Sequence, residues 1–199
     1  MPAIVDHNQR RAALAQLAAD VIAEQGIDAA TVRGIAEAAG FSTKIVSHYF
    51  ADKRTLLLAT YRFAADHSGA TAAASQADGR ADAPAYVASL LPTSPLMLRN
   101  WKVWFAFWGF AISDAQFAAE QRRQVLRARG DVAERLGRDA RYAHVPPAAR
   151  DQAARELVTL VIGVALQAAF DPEDWTAARQ TEPILDRLRG LTAQQGISA

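Results

Sequence analysis

Between residues 42 and 53 the chain places Ser42, Thr43, Lys44, Ile45, Ser47, His48, Tyr49 and Lys53. Hydroxyls, an imidazole, two ammonium groups and one branched aliphatic stand within about three helical turns. Lys44 is able to donate to guanine O6/N7 or to a phosphate. Ser47 and His48 can hydrogen-bond base edges or phosphate, and Ile45 can touch a thymine methyl. On a helical wheel with Val46 and Phe50 facing inward, Lys44 and His48 point directly away from the core. Ile45 and Ser47 flank them, and Tyr49 lies to one side. Thr31, Ser42 and Thr43 stand at helix starts, where hydroxyls and free N–H groups suit phosphate oxygens. Lys53 opens the next helix and reaches toward backbone phosphate. A small helical hairpin with a merely solvated face would show the same pattern.

These groups need a scaffold. Residues 31–53, TVRGIAEAAGFSTKIVSHYFADK, read as two short helices joined by a tight turn. Thr31 is expected to cap the first, Gly40 to end it, Ser42 to cap the second and Asp52 to cap the helix that follows. An earlier helix is expected from Asp6, which has capping-box spacing with Gln9, to the C′ position at Gly26. Leu14, Leu17, Val21 and Ile22 form its apolar stripe.

A second unusual stretch is residues 97–112, MLRNWKVWFAFWGFAI. Met97, Leu98, Trp101, Trp104, Phe105, Trp108 and Ile112 share one helical face, while Val103, Phe107 and Phe110 share the opposite one. Indole N–H groups need partners when buried. The stripe reads either as ordinary core or dimer packing, or as an aromatic wall made of Trp101, Trp104, Phe105 and Trp108. Such a wall favours a cationic or quaternary-ammonium ligand, and a flat or greasy molecule suits it too.

Composition sets the bounds. The 199 residues are 51% hydrophobic and 22% charged, the range of a folded soluble protein. The formal net charge of +1 means that any nucleic-acid contact rests on a few placed groups. Two of the three lysines, Lys44 and Lys53, lie in the hairpin. There are no cysteines, which removes disulfides, thiolate zinc sites and Cys nucleophiles. The start MPAIVDHNQRR lacks the apolar run of a signal peptide. The longest apolar run, residues 157–170, is too short for a bilayer. A cytoplasmic protein is expected, with no cofactor and no metal.

Periodicity is helical nearly throughout, so the fold class is all-α. Residues 69–85, GATAAASQADGRADAPA, read as a fraying helix end and a linker. Further helices are expected over about 94–112, 114–141, 148–170 and 175–191, with a break at residues 145–147. The helix over 148–170 is apolar nearly all round and must be covered on two sides, either by its own domain and a partner chain or as the single central helix of a monomer. Gly163 allows close approach. The expected organisation is a three-helix unit carrying the hairpin, residues 1–52, and a larger helical body, residues 53–199.

The order T-V-R-x-I-A-x-x-A-G-F-S-T-x-x-V-S-H-Y-F-x-D-K-x-x-L-L resembles the TetR family of bacterial regulators over roughly residues 10–62. The resemblance implies a helix-turn-helix that binds double-stranded DNA. Thr31 and Arg33 match positions where the first motif helix meets phosphate. Ser42, Thr43, Lys44, Ser47, His48 and Tyr49 match the recognition helix, and Lys53 the phosphate-binding lysine. Ser47 stands where many members have Tyr, and Lys44 where a small residue is common. The first departure implies a lost phosphate contact, the second an altered base preference. The WKVWFAFW run and the recognition segment are similar to the choline-responsive betaine regulators within that family. That implies a C-terminal effector-binding domain, with Asp114, Glu120 and Glu156 as equal candidates to pair a cationic ligand. The family's last two helices form a four-helix dimer interface, which implicates Leu157, Val161, Gly163, Val164, Leu185 and Leu188. The expected activity is ligand-responsive transcriptional regulation by a dimeric repressor on a palindromic operator.

Enzymatic readings have little to stand on. His7, His48, His67 and His144 are the only histidines, and none sits in H-E-x-x-H. No Gly-rich phosphate loop or G-x-S-x-G elbow is present. A DNA-independent ligand-binding protein is the other alternative, and the intact recognition helix argues against it.

Overall fold

The computed structural model describes residues 7–74 and 82–193, without the side chains of residues 67–74. Every regular element among them is a helix. In chain order these are α1 (His7–Gln25), α2 (Val32–Ala38), α3 (Thr43–Tyr49), α4 (Lys53–Ala74), α5 (Ala83–Ser89), α6 (Pro95–Ser113), α7 (Ala115–Arg138), α8 (Pro147–Phe170) and α9 (Ala177–Ala193). The all-α expectation holds. Asp6, half of the expected capping box, lies outside the described residues. The chain divides into two compact units, one of residues 1–67 with 99–119, the other of 68–98 with 120–199.

In the first unit α1 packs on α2 and α2 on α3. Leu14, Ala18 and Val21 of α1 share a buried cluster with Ile35, Ala36, Val46, Phe50 and Leu56. A second cluster joins Ala19, Ile22 and Ala30 to Leu57, Leu58 and Tyr61 of α4, and to Val103, Phe107 and Phe117. Gly26 and Gly40 take positive φ, 85° and 65°, so each ends its helix in the left-handed region that glycine adopts without cost. The tryptophan-bearing part of α6 therefore belongs to the unit that carries the hairpin.

In the second unit α9 packs on α8 and on α5. Of the helix end and linker expected over 69–85, residues 69–74 continue α4 and residues 75–81 lie outside the described residues, while helix α5 corrects the last part, since 83–85 are helical. Asp82 caps it through the Ala85 N–H at 3.0 Å, and its first residue, Ala83, donates to the buried Asp139 carboxylate at 2.9 Å. Tyr86 and Val87 are buried. A local reading of APAYVAS could not see these partners, since Asp139 stands 56 residues away. Arg141 bonds both Asp82 and Asp139, at 2.8 and 2.7 Å. Helix α8 has 24 residues, ten more than the apolar run over 157–170, which Thr159 and Gln167 interrupt, and is long and apolar enough to cross a bilayer by length and composition. Within its most apolar part 44% is buried inside the protein.

Candidate nucleic-acid interface and aromatic stripe

The hairpin is built as its residue types require. Thr31 is the N-cap of α2, its hydroxyl accepting the Gly34 N–H at 2.9 Å. A Cβ on Gly34 would sit 2.5 Å from the Ala29 carbonyl oxygen, so only glycine lets the turn close against α2. Asp52 accepts the Thr55 N–H at 2.7 Å at the start of α4, and that bond holds its carboxyl below the usual range. Ser42 occupies the N-cap position of α3, but its hydroxyl makes no capping bond and stays exposed. This differs from the expected cap and leaves the group free for an outside partner.

Val46 and Phe50 are 0% exposed, which fixes the roll of α3. Thr43, Lys44, Ile45, Ser47 and His48 consequently face solvent, and Arg33 does so from α2. Tyr49 is half-buried. Lys53 lies 3.7 Å from Asp28, whose side chain is fully solvated, so the pair holds the ammonium only weakly. Arg10 sits over the Phe41 ring and Arg11 over the Phe50 ring, at 5.6 and 5.4 Å. The small net charge is thus placed: cations from α1, α2, α3 and the start of α4 accompany one polar face.

On α6 the rings form a chain. Trp104 meets Trp101 edge-on at 4.6 Å, Trp101 lies 5.3 Å from Phe105, and Phe105 meets Trp108 edge-on at 5.2 Å. Trp101 is buried, whereas Trp104, Phe105 and Trp108 are half-buried. The Trp104 indole nitrogen is buried without a hydrogen-bond partner. Ile112, expected on this stripe, is 88% exposed. On the opposite face Val103 and Phe107 are core, Phe107 stacking on Tyr61 at 3.9 Å and packing on Phe117 at 4.6 Å, whereas Phe110 is exposed. Burial pushes the Tyr61 hydroxyl well above its usual pKa.

All three candidate carboxylates are engaged by arginine. Glu120 is buried and bonded by Arg123, and by Gln124 at 2.9 Å. Glu156 accepts from Gln152 at 2.9 Å and Arg187 at 2.5 Å, and both bonds hold its carboxyl below the usual range. Asp114 is gripped by both Arg54 terminal nitrogens at 2.6 Å while it caps α7 through the Gln116 and Phe117 N–H groups. Arg54 also donates to Gln116 at 2.8 Å and lies over the Phe117 ring at 5.0 Å. No local pattern marks this clasp, which ties the first turn of α4 to the end of α6 across 60 residues.

The residues expected at a dimer contact separate. Leu157, Val161, Val164 and Leu188 are buried within the chain itself and form its own core. Gly163 is exposed with open space beyond it, and Leu185 is half-buried. The outward stripe of α8 is instead Thr159, Ile162, Gly163, Leu166 and Phe170, the last 79% exposed.

A buried-core helical hairpin with a polar outer face, on an all-α scaffold, is the architecture of a helix-turn-helix protein. Residues 14–60 match the family model "Bacterial regulatory proteins, tetR family", and residues 79–193 match "BetI-type transcriptional repressor, C-terminal". The chain belongs to the TetR family and is a ligand-responsive transcriptional regulator with a C-terminal part of the BetI type. It is 33% identical over 185 residues to the HTH-type transcriptional regulator BetI of Burkholderia ambifaria, covering 89% of this chain and 92% of the relative. The BetI of Burkholderia pseudomallei is 34% identical over 186 residues, with the same coverage. Among solved structures, a transcriptional regulator from Rhodococcus superposes with a TM-score of 0.79 at 24% identity, covering 93% of this chain and 96% of that one. A putative regulator from Saccharomonospora viridis, solved in complex with choline, gives 0.77 at 19% identity, covering 92% and 96%. At these identities the two structures speak for the fold.

Proposed function

We propose that this regulator is a homodimeric repressor that reads a palindromic operator with two copies of α3 and is released by a small quaternary-ammonium effector. The observation that carries the DNA reading is the roll of α3. With Val46 and Phe50 sealed in the core, Lys44, Ser47 and His48 are the side chains offered outward. In this reading Lys44, Ile45, Ser47 and His48 address bases, while Thr31, Arg33, Ser42, Thr43, Tyr49 and Lys53 hold phosphate. The functional division falls after residue 52, between operator reading and effector response.

The effector reading rests on the aromatic chain of α6. Rings attract a cation through their faces, and the unpartnered Trp104 N–H calls for an acceptor such as a hydroxyl. Choline carries both features, and it is the ligand named for the Saccharomonospora structure. With Asp114, Glu120 and Glu156 already paired, the rings rather than those carboxylates supply the attraction. The Arg54–Asp114 clasp would pass a shift of α6 to the first turn of α4, next to the recognition helix. A ligand that prefers the displaced arrangement by a few kcal/mol suffices to release DNA.

Dimerisation is proposed through the outward stripe of α8 around Gly163. A Cβ there meets nothing within 4 Å, so Gly163→Leu leaves the protomer intact while obstructing a close partner. Light scattering is expected to show a dimer for the natural chain and a monomer for this variant. Catalysis has no part in this reading, and a protein that answers a metabolite on chromosomal DNA works in the cytoplasm. The deciding experiment is titration of an operator fragment in gel shifts with and without choline. Choline-dependent release, lost in Phe105→Ala and Trp108→Ala, is expected. Operator binding indifferent to choline, in a protein whose tryptophan fluorescence responds to it, would refute the effector mechanism.

A further inference from the structure

His7 and His48 come from opposite ends of the hairpin unit and meet on its surface. His7 opens α1 and His48 stands in the last turn of α3. Their Nε2 atoms are 3.1 Å apart, with ring centroids at 5.1 Å and planes inclined at 69°. Both residues are exposed. The Tyr49 ring lies 4.5 Å from His7 and 5.3 Å from His48, so one side chain buttresses both imidazoles.

We propose that His7 and His48 form a two-imidazole site for a borderline divalent transition-metal ion, zinc, nickel or copper. Neutral imidazole is a preferred ligand for all three. Two nitrogens bound at 2.0–2.1 Å lie about 3.3–3.4 Å apart at the tetrahedral angle and about 2.9 Å apart at a right angle. The observed separation falls between those two values. Without metal, one neutral ring donates its Nε2–H to the other's Nε2. On binding, the donor ring moves that proton to its own Nδ1 through solvent, so that both rings carry Nδ1–H and turn an Nε2 lone pair to the ion. Among the described residues no third His, Cys, Asp or Glu completes the set, so the remaining positions belong to water and the ion exchanges freely. The site would pin the start of α1 to the recognition helix.

The test is calorimetric titration of the tag-free full chain with zinc, and with nickel as a second probe, beside His7→Asn, His48→Gln and His144→Ala. The site predicts one saturable metal per chain, weakened at least tenfold by either pair substitution and unchanged by His144→Ala. Nickel should broaden the imidazole NMR signals of two histidines and spare the others. Zinc affinity indifferent to both pair substitutions, or no saturable binding at micromolar metal, overturns the proposal. A folded circular dichroism spectrum for both pair variants excludes unfolding as the cause of any loss. Failure of DNA binding bears on the operator reading alone, because this assay contains no DNA.

Discussion

Helix α6 turns two faces to different tasks, and replacing one ring on each separates them. Phe107 is 2% exposed and sits between Tyr61 of α4 and Phe117 of α7. Phe107→Ala removes a buried aromatic and leaves a cavity that flanking helices close only in part, at about 3–5 kcal/mol. Each kcal/mol lowers the melting temperature of a chain this size by about 2–4 °C, so the loss is about 6–20 °C. Phe105 lies two residues away but is half-buried, its ring meeting its helix neighbours Trp101 and Trp108. Phe105→Ala should melt within a few degrees of the natural chain while losing its choline response. Calorimetry on both variants, followed by operator titration below the lower transition, reads the two effects separately. Equal melting losses, or a Phe107→Ala protein as stable as the natural one, would show that the assigned faces are wrong.

Lys44→Ala should weaken binding to the operator more than to random DNA, whereas Lys53→Ala should weaken both alike and reduce the salt dependence by about one unit per lysine lost. Gel shifts on both DNAs over a salt series decide between base and phosphate contact. Thr31→Ala removes the α2 cap and should cost about 0.5–2 kcal/mol in urea unfolding. Thr31→Ser should recover most of it. Burial pushes the Asp139 carboxyl up, but hydrogen bonds from Arg141 and the Ala83 N–H outweigh it and hold the pKa below the usual range. Its stabilisation is therefore present above the unfolded carboxylate pKa near 3.9 and is lost as pH falls through the lower folded value. Asp139→Asn should lose stability at neutral pH and flatten that acid limb in pH-dependent unfolding.

Features set by near neighbours were legible in the chain. Thr31 and Asp52 cap as their spacing predicts, and the wheel through Val46 and Phe50 places Lys44 and His48 outward, because a helix's own period decides both. Ser42 shows the limit: position marks a cap, yet its hydroxyl rotor need not make the bond. What depended on distant partners stayed hidden, including α5 on Asp139, the Arg54–Asp114 clasp and the His7–His48 contact across 41 residues. The α8 stripe failed for a different reason. An all-round apolar helix does not reveal which side its own chain covers, and Leu157, Val161 and Val164 proved to be inside.

The membership of the tryptophan-bearing part of α6 in the hairpin's unit bears on how regulators of this kind can be recombined. Severed after residue 52, the reading head would expose Ala19, Ile22 and Ala30, whose cover is Leu57, Leu58, Tyr61, Val103 and Phe107. A chimera that grafts this head onto a foreign sensor must bring residues 99–119 with it, or redesign the seam they fill. Modularity in this chain follows packing, and its unit of exchange is discontinuous in sequence.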